Sequence, residues 1–278
     1  MRNLVSISPA NNLFKAALAA TMFSVLLSCT STTQIGATGV DRKQLLLVSS
    51  EQINAASVAS YNQTLSQAKA AGKLDTDAAM RARLQRISNR LVSKVSTFRP
   101  EARSWQWEVH TIQSDQLNAY VAPGGKIMFY TGIVDRLSLT DAEIAAIMGH
   151  EMAHALREHA RERISTQMAT QSGLGILGSL AGLSTGQLQL ADMVSQVGLS
   201  LPHNRSQESE ADVLGLELMA RAGYNPQSAV SLWRKMEAAA KGAPPQFLST
   251  HPSAGNRISQ IQSLLPRVMP LYNASSKA

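Results

Sequence analysis

The chain has 278 residues, of which 44% are hydrophobic and 16% are charged. This length is sufficient to bury a large core, and the composition is that of a globular protein rather than an extended disordered chain. The net charge of +7 suggests nucleic-acid binding, but no run of five basic residues occurs. The basic residues from Arg157 to Arg163 are interrupted by acidic and other residues. We therefore predict that the protein has no nucleic-acid partner.

The first 28 residues have the pattern of a lipoprotein signal peptide. Arg2 and Lys15 flank a polar start, and the apolar run from 16 to 27 is too short for a permanent membrane span. The run ends at Ser28-Cys29, and this cysteine has no second cysteine in the chain as a disulfide partner. We predict that residues 1–28 are removed and that Cys29 is the lipid attachment site, which anchors the protein to a membrane. An ordinary signal peptide that happens to contain a cysteine is the alternative.

The sequence after the apolar run also predicts location and domain organisation. Ser28-Cys29 resembles the lipobox of Gram-negative lipoproteins, and Thr30 in place of aspartate then implies the periplasmic face of the outer membrane. Residues 29–40 are rich in Ser, Thr and Gly and are predicted to be a lipid-anchored tether. Residues 41–270 are predicted to be one domain, with N-terminal helices over 41–98 and its core over 99–270, and residues 271–278 a flexible tail.

The first half of the domain changes from helical to extended periodicity. Apolar residues spaced by three or four predict helices between 41 and 98, divided at Gly72. Alternation from Trp105 to Thr111, and two apolar stretches on either side of Pro123-Gly124-Gly125, predict a small antiparallel sheet.

The second half is predicted to be helical. Thr140 and Glu143 form a capping box, and the helix that they begin is predicted to continue to about Met168. The apolar, glycine-rich segment 173–186 is predicted to be a mobile lid or a weak helical hairpin. Further helices are predicted over 206–222, 226–240 and 258–265. The fold class is therefore α+β, mainly helical, with the small sheet beside the capped helix.

The capped helix carries a candidate metal site. His150 and His154 are four residues apart, so both imidazoles can approach one ion from one helix face, with Glu151 on the adjacent flank. This pattern is typical of a catalytic zinc site, which needs a third protein ligand and an open fourth position. The downstream helix offers Glu208 as that ligand and, one turn later, Asp212 as a hydrogen-bond acceptor for His150. A solvated helix N-terminus is the alternative explanation for the two acidic residues.

Several short motifs together carry a family resemblance. The motifs are Asn118-Ala119-Tyr120, Pro123-Gly124-Gly125-Lys126, Gly149 to His154, Arg205, Glu208-x-Glu210-Ala211-Asp212, Thr250-His251-Pro252 and Arg257. With them the chain resembles metallopeptidase family forty-eight, the gluzincins related to HtpX, the CAAX prenyl endoprotease and Oma, and especially its periplasmic lipoprotein members. The resemblance covers most of residues 80–265. It implies a zincin fold and one Zn²⁺ per chain, held by His150, His154 and Glu208, with Glu151 as the general base for peptide hydrolysis.

The resemblance also implies how substrate meets this site. Asn118, Ala119 and Tyr120 are expected at a sheet edge beside the cleft, where an extended peptide can add as a strand. His251 is expected near the zinc, where it either stabilises the oxyanion or closes the fourth position; a structural loop histidine is the alternative. We predict structural roles for the three remaining histidines, His110, His159 and His203.

The leading functional hypothesis is a zinc-dependent metalloendopeptidase that cleaves misfolded or misassembled cell-envelope proteins. Its partners would be those unfolded substrates and the membrane that holds its lipid anchor. The alternative is a chaperone-like or scaffold lipoprotein, in which His251 or the glycine-rich segment keeps a latent zinc site closed. A cytosolic nucleic-acid binder is a third hypothesis, which requires that residues 1–28 are retained.

Overall fold

The structure is a computed structural model that describes residues 29–170, 190, 192–196, 202–240, 245–252 and 256–277. The predicted signal peptide over 1–28 and the glycine-rich segment 173–186 lie outside these residues. Over the part of the chain that is described, no helix combines the length and the apolar character needed to cross a bilayer.

The described elements give a mainly helical α+β fold, which confirms the predicted fold class. The strands are β1 (Cys29–Thr30), β2 (Gln44–Leu45), β3 (Glu108–Ile112), β4 (Ala119–Ala122) and β5 (Lys126–Tyr130). The helices are α1 (Ser50–Ala70), α2 (Ala78–Val92), α3 (Thr131–Arg136), α4 (Asp141–Leu156), α5 (His159–Thr170), α6 (Arg205–Arg221), α7 (Ser228–Ala239), α8 (Gln246–Thr250) and α9 (Arg257–Ala274).

The main sheet is mixed rather than wholly antiparallel. Its strand order is β3-β5-β4, with β4 antiparallel to β5 across the predicted Pro123-Gly124-Gly125 turn. β3 pairs with β5 in the parallel sense, which corrects the predicted antiparallel sheet. The reason is topological, because two successive reversals of the chain return β5 to the direction of β3. Among the described strands, β4 is therefore an edge that faces no further strand.

Helix α4 lies at the centre of the core. Its capping box forms as predicted, with the Thr140 amide donating to Glu143 Oε2 at 2.9 Å and the Glu143 amide donating to Thr140 Oγ1 at 3.3 Å. The residues from Glu143 to Leu156 are all buried. The predicted continuation to Met168 is wrong, because Glu158 adopts the left-handed conformation, with φ 50°, and separates α4 from α5. The break brings His159, the first residue of α5, within hydrogen-bond distance of His154 on α4.

Helices α4 and α6 approach each other closely at two glycines. Gly149 lies on α4, and a Cβ built on Gly149 would lie 3.0 Å from the carbonyl oxygen of Gly215 on α6. A Cβ on Gly215 would lie 2.7 Å from the backbone nitrogen of His150. This contact sets α6 directly beside the residues of the candidate metal site.

We expect Gly215→Ala to lower the free energy of unfolding by about 1–3 kcal/mol, because overpacking forces the two backbones apart. Urea unfolding followed by circular dichroism would measure the change. Ser209→Ala, an exposed position on the same helix, is the control and should change stability by less than about 0.5 kcal/mol. Equal stability of the Gly215→Ala protein and the wild type would contradict the close helix contact.

Both ends of the described chain pack against the domain more closely than predicted. Residues 29–40 do not form a free tether: the amides of Ala37 and Thr38 donate to Glu217 at 2.9 and 2.8 Å, and Thr38 is buried. The last predicted helix is too short, since α9 runs through two prolines and ends at Ala274, within the predicted tail. Buried Val268 holds this extension on the core.

Candidate metal centre

Three side chains from two helices converge on one point. His150 Nε2 and His154 Nε2, both on α4, lie 3.1 Å apart. Glu208 on α6 places Oε1 3.3 Å from His154 Nε2 and Oε2 3.6 Å from His150 Nε2. Four-coordinate zinc, with bonds of about 2.0–2.1 Å, holds ligand atoms about 3.3 Å apart. The spacing of these buried donor atoms therefore fits a tetrahedral metal ion, and the three predicted ligands are brought together.

Burial and neighbouring charge set His154 and Glu208 in the protonation states that metal binding needs. Burial lowers the pKa of His154 well below its usual value, so the imidazole is neutral. Burial alone would raise the pKa of the Glu208 carboxyl, but the charge of His251 and hydrogen bonds from His154 and His251 outweigh it and lower that pKa. The site thus presents a neutral His154 imidazole and an ionised Glu208 carboxylate.

Asp212 lies where the sequence predicts it. Its Oδ1 is 3.0 Å from His150 Nδ1, the nitrogen that faces away from the other ligands. Arg257 on α9 then joins the second carboxylate to the first: it donates to Asp212 Oδ2 and to Glu208 Oε2, each at 2.7 Å. The guanidinium carbon also lies 3.8 Å from the centre of the Trp233 ring. Arg257 therefore fixes the side chains of both Glu208 and Asp212.

We expect Asp212→Asn to weaken metal binding by about 10–100-fold, because the amide no longer holds the His150 imidazole with a charged acceptor. Competition with a chromophoric chelator would measure the affinity. Asp135→Asn, on the short helix α3, provides a control outside the metal site. Unchanged affinity in the Asp212→Asn protein would show that Asp212 does not support His150.

Glu151 and His251 lie next to the three candidate ligands. Burial raises the pKa of the Glu151 carboxyl, whose Oε1 is 3.2 Å from His251 Nε2. The other ring nitrogen, His251 Nδ1, is 3.0 Å from Glu208 Oε1 and 3.3 Å from His150 Nε2. His251 therefore lies at the metal centre, as the resemblance implies. It follows α8, a short helix in a region where the sequence predicts only a loop.

The predicted substrate edge lies beside this cluster. Asn118, Ala119 and Tyr120 line one pocket together with Glu151 and His251. Asn118, just before β4, accepts a backbone hydrogen bond from Tyr130 of β5 at 3.1 Å, so the predicted segment is joined to β5 from its first residue. The pocket connects the outer strand of the sheet with the candidate general base.

The sequence does not predict the place of two further histidines. The ring of His203 lies 3.9 Å from that of His154, and His159 Nδ1 lies 2.8 Å from His154 Nδ1. On a continuous helix, His159 would point away from His154, but the break at Glu158 brings the two rings together. His110, in contrast, pairs with Asp75 at 2.6 Å and belongs to no described metal cluster.

Comparison with known proteins identifies relatives over part of this chain. Mitochondrial metalloendopeptidase OMA1 of Schizosaccharomyces pombe is 37% identical over 163 residues, which are 58% of this chain and 47% of the relative. Human OMA1 is 28% identical over 246 residues, covering 83% of this chain and 45% of the relative. The beta-barrel assembly-enhancing protease of Yersinia pestis is 25% identical over 221 residues, covering 76% and 44%. The chain thus spans about half the length of the curated relatives that it matches.

These relatives contradict the location predicted from the N-terminal sequence. The fungal, plant and bovine proteins that are 31–37% identical to this chain are all named as mitochondrial. The bacterial assembly-enhancing proteases are only 23–25% identical. The predicted position at the periplasmic face of a Gram-negative outer membrane is therefore wrong. Lipid attachment at Cys29 stays a prediction.

The profile of peptidase family M48 matches residues 78–265. This range extends from α2 to α9 and includes both helices that carry the candidate metal ligands, the edge strand β4 and Arg257. It agrees with the range over which the motifs resemble that family. The chain belongs to peptidase family M48, a family of metallopeptidases.

Proposed function

We propose that the protein is a zinc-dependent metalloendopeptidase that cleaves extended segments of misfolded or misassembled proteins. The observation that carries the proposal is the convergence of His150, His154 and Glu208 beside a buried Glu151. This is the donor set of a catalytic zinc site, with two imidazoles, one carboxylate and a further carboxylate as general base. The names of the relatives, which are metalloendopeptidases and proteases, support the same activity.

The residues of this chain divide the work of hydrolysis. His150, His154 and Glu208 would hold one zinc ion, which supplies Lewis-acid chemistry that polarises the scissile carbonyl and activates water. Glu151 accepts a proton from the attacking water and delivers it to the nitrogen of the leaving amine. Burial, which raises the pKa of Glu151, makes its carboxylate a stronger base for the first step and keeps the proton available for the second.

The edge strand supports a preference for extended substrates. A peptide that adds beside β4 would form main-chain hydrogen bonds and lie next to Glu151, because both border the same pocket. Main-chain recognition requires an unfolded segment and depends little on its side chains. The prediction of cell-envelope substrates depended on the location that the relatives contradict, so it is not part of this proposal.

One observation favours the alternative of a latent site. His251 Nδ1 lies within 3.3 Å of both His150 Nε2 and Glu208 Oε1, which is a suitable spacing for a fourth ligand. A site closed in this way would leave a protein that binds unfolded chains without cutting them. The two functions differ in whether bound substrate is cleaved.

Removal and return of zinc test the proposed activity. We expect the purified protein to cleave unfolded casein, to lose cleavage after dialysis against a chelator, and to regain it with stoichiometric zinc. A tightly folded protein of similar size serves as the control substrate and should remain intact. Binding of casein without cleavage, at full zinc occupancy, would contradict the endopeptidase and support the latent site.

A further inference from the structure

The candidate ligand His154 is connected, on the side away from the metal site, to a continuous series of hydrogen-bonded polar side chains. Its Nδ1, the nitrogen that faces away from Glu208, lies 2.8 Å from His159 Nδ1. The second nitrogen of that ring, His159 Nε2, lies 3.1 Å from Glu210 Oε2. His159 is fully buried and Glu210 is 9% exposed, so water does not replace these contacts.

The positions of the protons follow from metal binding through His154 Nε2. A neutral imidazole that coordinates through Nε2 carries its hydrogen on Nδ1, which must then donate to His159 Nδ1. His159 therefore accepts at Nδ1, carries its own hydrogen on Nε2 and donates to Glu210.

We propose that His159 and Glu210 are positioning residues, which hold the His154 imidazole in the orientation and tautomer that bind the metal. The proposal rests on the zinc site of the proposed function but not on peptide cleavage. It also gives each histidine ligand an acidic support from α6: Asp212 contacts His150 directly, and Glu210 acts on His154 through His159. The two supports lie on either side of Ala211, close to the ligand Glu208.

Two arginines hold Glu210, the last side chain in this series of hydrogen-bonded groups. Arg157 Nε donates to Glu210 Oε2 at 3.0 Å, and Arg42 binds the same carboxylate. Arg157 is fully buried, and its Nη2 donates to the carbonyl oxygen of Arg42 at 2.8 Å. Glu210 is therefore held in one position, as a group that orients His159 has to be. The N-terminal segment around Arg42 thereby takes part in supporting the metal centre.

Two substitutions at one position separate hydrogen bonding from packing. His159→Leu keeps the bulk of the ring but leaves His154 Nδ1 without an acceptor, and we expect it to weaken zinc binding by about 10–100-fold. His159→Asn places an amide oxygen near the position of Nδ1, so we expect it to restore most of the affinity. Competition with a chromophoric zinc chelator measures the zinc affinity of the full-length wild type and of both variants. His110→Leu is the matched control, since His110 also pairs with a carboxylate but lies outside the metal centre.

The outcomes distinguish a positioning role from a purely structural one. A zinc affinity of the His159→Leu protein equal to that of the wild type, or an equal loss in the Leu and Asn proteins, would overturn the proposal. An equal loss in His110→Leu would do the same, because it would show a general effect of losing a histidine that pairs with a carboxylate.

A spectrum of the wild-type protein gives a second test that needs no variant. Long-range ¹H–¹⁵N spectra of the zinc-loaded chain should show His154 with its hydrogen on Nδ1 and His159 neutral with its hydrogen on Nε2. A cationic His159, or one with its hydrogen on Nδ1, would overturn the proposal even if the Leu variant does not fold. Neither test measures cleavage, so failure of this inference and failure of the peptidase activity are separate results.

Discussion

Glu151→Gln is expected to lower kcat for casein cleavage by about 10²–10⁴-fold, the usual contribution of general acid–base catalysis. The amide has nearly the shape of the carboxyl group but cannot accept a proton from water. Zinc content should remain at one ion per chain, because the spacing of His150, His154 and Glu208 does not depend on Glu151. Initial rates with zinc-loaded protein, together with metal analysis, would measure both quantities.

Glu143→Gln on the same helix is the matched control for this prediction. Glu143 is buried and belongs to the capping box, which glutamine can also form. The Glu143→Gln protein should therefore cleave casein at a rate close to that of the wild type. Casein cleavage by Glu151→Gln at the wild-type rate would exclude Glu151 as the general base. A loss of zinc in that variant would instead assign it to the metal ligands.

Arg257→Met is expected to lower the free energy of unfolding of the zinc-free protein by about 3–5 kcal/mol, because it leaves buried carboxylates without their cation. Glu208 and Asp212 both accept hydrogen bonds from Arg257, which is 2% exposed. Zinc should reduce the loss, since the ion offers Glu208 a second positive partner. Urea unfolding with and without zinc would measure the difference.

Arg83→Met is the control for this second prediction. Arg83 pairs with Asp141 at the surface, where the Asp141 side chain is 52% exposed, so the loss should be at most about 1 kcal/mol. Equal stability losses for the two variants would show that leaving the buried carboxylates without Arg257 destabilises the protein no more than breaking a surface ion pair. A loss in Arg257→Met that zinc does not reduce would contradict the link between Arg257 and the ligand Glu208.

The predicted parts of the metal centre depend on local sequence. The capping box at Thr140 and the four-residue spacing of His150 and His154 act within one helix, and the structure places both as expected. Asp212 is predictable for the same reason, because it lies one turn from Glu208 on α6. Helical periodicity alone decides which of these side chains share a face.

The unpredicted parts depend on contacts between distant segments. Glu158 interrupts the helix after α4, and this one left-handed residue turns His159 from a remote position into a neighbour of His154. Arg42 reaches Glu210 across 168 positions of sequence, a pairing that no local pattern encodes. The parallel pairing of β3 with β5 is likewise a consequence of chain topology.

The sequence by itself therefore determined the fold class, the family resemblance and the shared helix face of His150 and His154, because periodicity, short motifs and residue spacing are local properties of the sequence. The tertiary structure alone decided what surrounds the candidate ligands. It places His251 beside Glu151, Arg257 between Glu208 and Asp212, and the hydrogen-bonded pair His159 and Glu210 next to His154. These contacts form where α4, α5, α6 and α9 pack together. The packing of buried elements brings such groups within hydrogen-bond distance, and local periodicity carries no information about it.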